Sequence, residues 1–313
     1  TMLPQERTTA LQQVGEQVTE LIKESKAPNT RRAYANDWKR FTSWCEQHHL
    51  PPLPATSNTV ALYVGSMAHT HKPATIQRHL ATIKQAHLIA GYESPVTEYA
   101  RCTLRGIRRT VGTRQRQVAP AELQDVTAMI NALPQSLLGT RDKALLLLGF
   151  AGAFRRSELV ALNAEDIEHC PEGLKVHLQR SKTNQEGADE VKGIPYGSNP
   201  TTCPIRSLQT WLDKAGITSG AVFRSIDRHG NIKGRLSDRA VALVVKRSAD
   251  GAGLNPDTFS GHSLRAGFVT TATKKGVPAY RIKRTTGHKS DAIINRYIRS
   301  VSVFDNATVG IGL

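Results

Sequence analysis

His262 and Arg265 stand three positions apart in GHSLRAG. On a helix, residues at i and i+3 share a face, so this imidazole and guanidinium can address one phosphate together. Downstream, TTGHKS carries His288 and INRYIRS carries Tyr297, nine positions further on, while FRRSEL places Arg155 and Arg156 far upstream. Each residue alone is ordinary, because a phosphate-facing arginine and a salt-bridged surface arginine look identical in a sequence. Together they describe phosphoryl transfer. Attack on a phosphodiester builds negative charge on the non-bridging oxygens, and guanidiniums meet it with paired hydrogen bonds that lysine cannot match. Arg265 and an arginine of the FRRSEL segment suit that task. Tyr297 offers a nucleophile that is weak at its ordinary pKa of about 10 and that neighbouring cations would activate. Its plainer role is that of an amphipathic-helix aromatic beside Ile293, Ile294 and Ile298.

Such residues need a scaffold that gathers distant segments, and 313 residues suit two domains better than one. Lys and Arg outnumber Asp and Glu by 42 to 26, giving a net charge of +16 and a pI near 10.0. That balance points to a polyanionic partner, nucleic acid first. An anionic membrane surface is the competing partner, but the longest apolar run, 145–154, is too short to span a bilayer and is closed by Arg155 and Arg156. No secretory leader is visible, and Thr1 ahead of Met2 reads as an added residue. Cys45, Cys102, Cys170 and Cys203 are too scattered for a zinc site or a disulfide scaffold, so free thiols in a cytoplasmic protein are expected. No GxxxxGK[ST] loop and no carboxylate cluster stands out, so neither a nucleotide cofactor nor a metal is expected.

The elements follow from periodicity. Residues 11–22 predict an amphipathic helix; a second begins at the candidate caps Asn29 and Thr30 and carries Tyr34, Trp38, Phe41 and Trp44 on one core-facing side. Further helices are expected at 57–68, 74–90 and 95–108, so the first third is all-helical. Arg101, Arg105, Arg108, Arg109, Arg114 and Arg116 follow one another with no acidic residue from 101 to 117, predicting a basic linker that tracks phosphates. After Pro120, helices are expected at 120–133, 140–151, 155–162, 205–214, 237–248, 262–275, 278–286 and 291–299. Leu174, Val176 and Leu178 alternate with polar residues, and 191–196 offers a pairing strand. The domains are therefore drawn as 1–110, a basic linker at 111–119, and 120–313.

FRRSELVAL, RSKT, SGHSLRAG, TTGHKS and NRYIRS occur in the order found in the tyrosine recombinases and phage integrases, and the chain resembles that family from about residue 25 to residue 300. With TIQRHL and LSDRA added, the Cre-like site-specific recombinases are the nearest members, although His288 stands where those carry Trp. The resemblance implies a mainly α fold: an N-terminal helical core-binding (SAM-like) domain and an α-rich catalytic domain with a small antiparallel sheet, closing as a C-shaped clamp on DNA. It also selects Arg155 over Arg156, because the family's arginine precedes a Glu by three positions, as Arg155 precedes Glu158. Glu158 would hold an arginine, or form only a helix-surface salt bridge. By the same resemblance His262 acts as general base and Lys182, in the turn after the strand, as general acid. His288 donates to a phosphate oxygen, and Tyr297 forms a 3′ phosphotyrosine, leaving a free 5′ hydroxyl with no need of ATP.

DNA reading is expected from TIQRHL, where Thr75, Arg78 and His79 lie on adjacent helical turns suited to a major groove. The resemblance makes Arg78 the first reader and Arg239 the second; either could instead contact phosphate. Arg105, Arg108 and Arg109 are the expected backbone contacts. The residues after Tyr297 are apolar, among them Val301, Phe304 and Val309, and the resemblance implies that they pack on a neighbouring subunit in a homotetramer on two DNA sites; the alternative is packing on their own domain. Rival readings are a type IB topoisomerase, a catalytically silent DNA-binding protein and a metal-dependent nuclease; the last would need carboxylates that the sequence does not group.

Overall fold

The computed structural model describes residues 27–112, 118–178 and 190–288, which fall into two compact units divided between Arg116 and Gln117. The expected helices at 11–22 and 291–299 lie outside the described residues.

Among the described residues the first unit is all-helical: α1 (Pro28–Gln47), α2 (Ser57–Ser66), α3 (Pro73–Ile89) and α4 (Glu98–Val111). The caps expected at Asn29 and Thr30 fall inside the first turn of α1. The chain enters the helix at Ala27 with Pro28 following, where a fixed φ and a missing N–H cost nothing. At α2 the Thr56 hydroxyl accepts from Thr59 N at 3.1 Å. Phe41, Val60, Val64, Ile76, Ile83 and Leu104 build the core, with Trp38 and Trp44 packed against it, so the aromatic stripe of α1 faces inward. The arginine-rich stretch expected as a linker is, through Val111, the helix α4. Ala100, Leu104 and Ile107 bury one side of that helix, while Arg101, Arg105 and Arg109 are exposed.

The second unit runs α5 (Leu123–Asn131), α6 (Leu137–Ala151), α7 (Arg156–Ala161), β1 (Ile167–Cys170), β2 (Gly173–Leu178), β3 (Glu190–Pro195), α8 (Pro204–Ala215), β4 (Arg224–Ile226), β5 (Ile232–Arg235), α9 (Asp238–Gly251), α10 (Ser263–Lys274) and α11 (Ala279–Thr286). From Ala144 onward helix α6 is apolar on every side because it is the centre of the core: Ala144 through Leu148 are all buried, among α5, α8 and α10. Strands β1, β2 and β3 form an antiparallel sheet in that order, and β4 pairs with β5 as a short hairpin. Leu174, Val176 and Leu178 point inward, as their alternation predicts. Opposite them, Leu174 pairs with Ile194 and Val176 with Lys192, so β3 buries a lysine beside an isoleucine. Helix α10 lies so close to the start of the unit that a Cβ on Gly267 would sit 1.6 Å from the Ala121 carbonyl oxygen. Ala121 N also donates to Ser263 O at 2.9 Å. Among the described residues no helix is long and apolar enough to cross a membrane.

Candidate active site

The turn between α6 and α7 is the foundation of the site. Helix α6 ends at Ala151, Ala153 takes a left-handed backbone with φ 45°, and Arg155 becomes the N-cap of α7. Glu158 accepts from Arg155 N at 2.9 Å, satisfying the N-cap backbone, and the same carboxylate accepts from the Arg155 guanidinium. Glu158 is buried and the Arg155 side chain nearly so. One carboxylate therefore starts the helix and fixes the arginine. Its neighbour Arg156 turns outward, 3.4 Å from Asp238 in an exposed pair.

Helix α10 supplies Arg265, buried, whose Nη1 donates to the Ala153 carbonyl at 2.8 Å. His262 is the exposed N-cap of α10, and its carbonyl accepts from Ala266 N at 3.0 Å. It therefore begins the helical ladder that carries Arg265 three positions on.

Gly287 ends α11 with φ 65° and leads directly into His288. The His288 imidazole is pushed down to about 4 by burial and then by the positive charges of Arg265, Arg155 and Lys192. At neutral pH it is a neutral ring beside two guanidiniums, able to donate one hydrogen bond without adding charge.

Lys192 is the residue that sequence reasoning missed. Its Nζ donates to Gly152 O and to Thr285 O, both at 2.9 Å, and lies 4.0 Å from Glu158 Oε2 and 5.0 Å from the centroid of the Phe154 ring. The usable signal was strand alternation: with Ile194 inward, the position two residues before it is inward too. Lys182 and Tyr297 lie outside the described residues.

The residues expected to read DNA are placed differently from one another. Arg78 is exposed on α3 and is gripped by the buried Asp37 carboxylate through Nε at 2.6 Å and Nη2 at 2.9 Å. His79 is a correction: it is buried, its Nδ1 lies 2.9 Å from the Tyr63 hydroxyl, and its Nε2 is 3.2 Å from Asp37. Burial is the first cause that lowers its pKa. It is a core group that cannot reach a base edge. Thr75 is half-buried. Arg105 pairs with Glu98 at 2.5 Å, Arg108 donates to Gln77 Oε1 at 2.5 Å, and Arg109 and Arg239 are exposed. Asp37, the anchor of Arg78, was not foreseen.

Residues 121–302 match the phage integrase family. The chain is 40% identical over 293 residues to an integrase/recombinase xerD homolog of Selenomonas ruminantium, covering 91% of this chain and 86% of that protein. It is 28% identical over 275 residues to a tyrosine recombinase of Synechococcus elongatus, covering 80% and 78%. Among solved structures, the fold is shared with the Tn1549 transposon integrase in complex with transposon right end DNA, at TM-score 0.59, 16% identity and coverage of 87% and 89%. It is shared also with a lambda integrase dimer bound to a core site, at TM-score 0.58, 17% identity and coverage of 90% and 93%. The family match over more than half of the chain, which takes in Arg155, Arg265 and His288, together with a 40% identical recombinase relative, places this chain in the phage integrase family of tyrosine recombinases.

Proposed function

We propose that this chain is a site-specific DNA recombinase that cleaves and rejoins strands through a 3′ phosphotyrosine at Tyr297, without metal or ATP. The observation that carries the reading is the positive charge that Arg155, Arg265 and Lys192 bring to the neutral His288 ring, with the buried Glu158 fixing Arg155. A phosphodiester there has its non-bridging oxygens met by two guanidiniums and an imidazole N–H, in a half-buried setting where such bonds are strong. Attack by the Tyr297 oxygen forms the phosphotyrosine bond and breaks the bond to the 5′ oxygen. His262 takes the phenolic proton and Lys182 returns one to the leaving oxygen. The phosphodiester is exchanged for another, so a 5′ hydroxyl from a partner strand can reverse the step.

The recombinase relatives, and the DNA bound in the solved structures that share the fold, support double-stranded DNA as the partner. Assembly as a homotetramer on two copies of a specific site, with Arg78 and Arg239 reading bases and Arg105, Arg108 and Arg109 on the backbone, extends the same reading. So does action in the cytoplasm, where the DNA is.

The test is incubation with a pool of nicked duplexes of randomised core sequence, then denaturing electrophoresis with and without EDTA. A covalent adduct that survives EDTA and is absent from Tyr297→Phe is the expected result. Tight binding with no adduct on any duplex would reject catalysis in favour of a silent DNA-binding protein.

A further inference from the structure

We propose that Lys192 is a positioning residue of this centre, its ammonium tying the turn that presents Ala153 to Arg265 onto the last turn of α11 that delivers His288. The inference rests on the recombinase reading and goes beyond it, since neither the family's signature nor the chemistry of phosphoryl transfer asks for a second lysine on this sheet.

The geometry is specific. Lys192 extends from β3, on the inward face beside Ile194, and is buried. An ammonium has three donors. Two go to Gly152 O and Thr285 O at 2.9 Å, and Glu158 is the nearest anion at 4.0 Å, with the face of Phe154 at 5.0 Å. Gly152 is one residue before Ala153, whose carbonyl holds Arg265. Thr285 is three residues before His288. The amine thus connects, through one atom, the two segments that carry the centre's histidine and the support of its second arginine.

A hydrophobic residue would fill that inward position at far lower desolvation cost. Its presence is explained by what it connects. The groups facing it are Glu158 from α7, Glu190 from its own strand, Arg265 from α10, and Arg155 at the start of α7. Burial, reinforced by the two arginines and opposed by the two glutamates, pushes the amine down to about 8. The link is therefore charged at neutral pH and weakened above it, because a neutral amine makes poorer hydrogen bonds to two carbonyls.

The experiment compares wild type and Lys192→Met in single-turnover cleavage of a nicked duplex that wild type cleaves, with affinity for the same duplex measured alongside. The expected result is a cleavage rate about 10- to 100-fold lower with affinity within about threefold, the scale of a misplaced catalytic constellation. The wild-type rate should also fall as pH rises through about 8, and the low rate of Lys192→Met should not. A Met variant that cleaves at the wild-type rate overturns the proposal. If that variant loses DNA binding through misfolding, the wild-type profile decides: at saturating DNA, a rate that does not fall up to a pH of about 9.5 overturns it. Wild type forming no adduct on any duplex is a separate outcome, and it defeats the recombinase reading itself.

Discussion

Arg265 reaches across 112 positions of sequence to donate to the Ala153 carbonyl at 2.8 Å, and Ala153 holds a backbone conformation that few non-glycine residues adopt. The turn between α6 and α7 is bent so that its carbonyl faces the guanidinium, and the packing of a fully buried alanine maintains the bend. A β-branched side chain tolerates this region badly. Ala153→Val should destabilise the larger unit by roughly 1–3 kcal/mol, whereas Ala153→Gly should change stability by less than about 1 kcal/mol. Denaturant unfolding of the two variants checks this, and equal stabilities would show that the turn relaxes at no cost.

His288 sets a pH dependence of stability whose sign can be worked out. Unfolded, a histidine binds its proton near 6.5; folded, this one does so only at about 4. Between those values the unfolded chain takes up a proton that the native chain refuses, so stability falls as pH drops from about 6.5 toward 4. His288→Gln removes the contribution. Unfolding measured at about pH 7 and about pH 5 should show a larger loss for wild type than for the variant; equal losses would place the imidazole in solvent.

Gly267 has no room for any side chain. With the Ala121 carbonyl oxygen 1.6 Å from where a Cβ would stand, Gly267→Ala must push α10 off the first residues of the unit. A loss of roughly 2 kcal/mol or more is expected, with a lower midpoint in thermal unfolding. Because Arg265 rides on the same helix, adduct formation should fall as well. A variant with an unchanged midpoint would mean that α10 does not sit this close in solution.

Arg78 reaches solvent with Nε and Nη2 held by Asp37, so its Nη1 donors are aimed before DNA arrives. Arg78→Ala should alter preference among related sequences more than it lowers overall affinity. Asp37→Asn should weaken discrimination in the same direction, because it loosens the guanidinium. Binding isotherms on matched and mismatched duplexes decide: uniform weakening would mark Arg78 as a phosphate contact.

The long helices were legible because burial on one side imposes a 3.6-residue rhythm; 205–214 was expected from the sequence and runs Pro204–Ala215. Strands β4 and β5 were not, at three and four residues, too short to establish an alternation. Strand β1 was hidden likewise, since Ile167–Cys170 holds Glu and His between its ends. At the site, Arg155, Glu158, Arg265 and His288 could be named because each sits in a motif of characteristic order. Lys192 was passed over because a lysine in a strand is read as facing water, although the alternation set by Ile194 turns position 192 inward, where it pairs with Val176. His79 misled for the converse reason: next to an exposed arginine on a helix, its burial against Tyr63 and Asp37 depends on contacts from α1 and α2 that no local spacing reveals.

Glu158 accepts from Arg155 and is the nearest anion to Lys192, while the charges of Arg265, Arg155 and Lys192 add to burial in keeping the His288 ring neutral. These cations repel one another, and a phosphate diester placed among them relieves that repulsion, so DNA acts toward this unit as a counter-ion as well as a substrate. A ligand that binds only the folded form shifts the folding equilibrium toward it. Engagement on DNA therefore adds to the stability of this unit, and the same linkage opposes release.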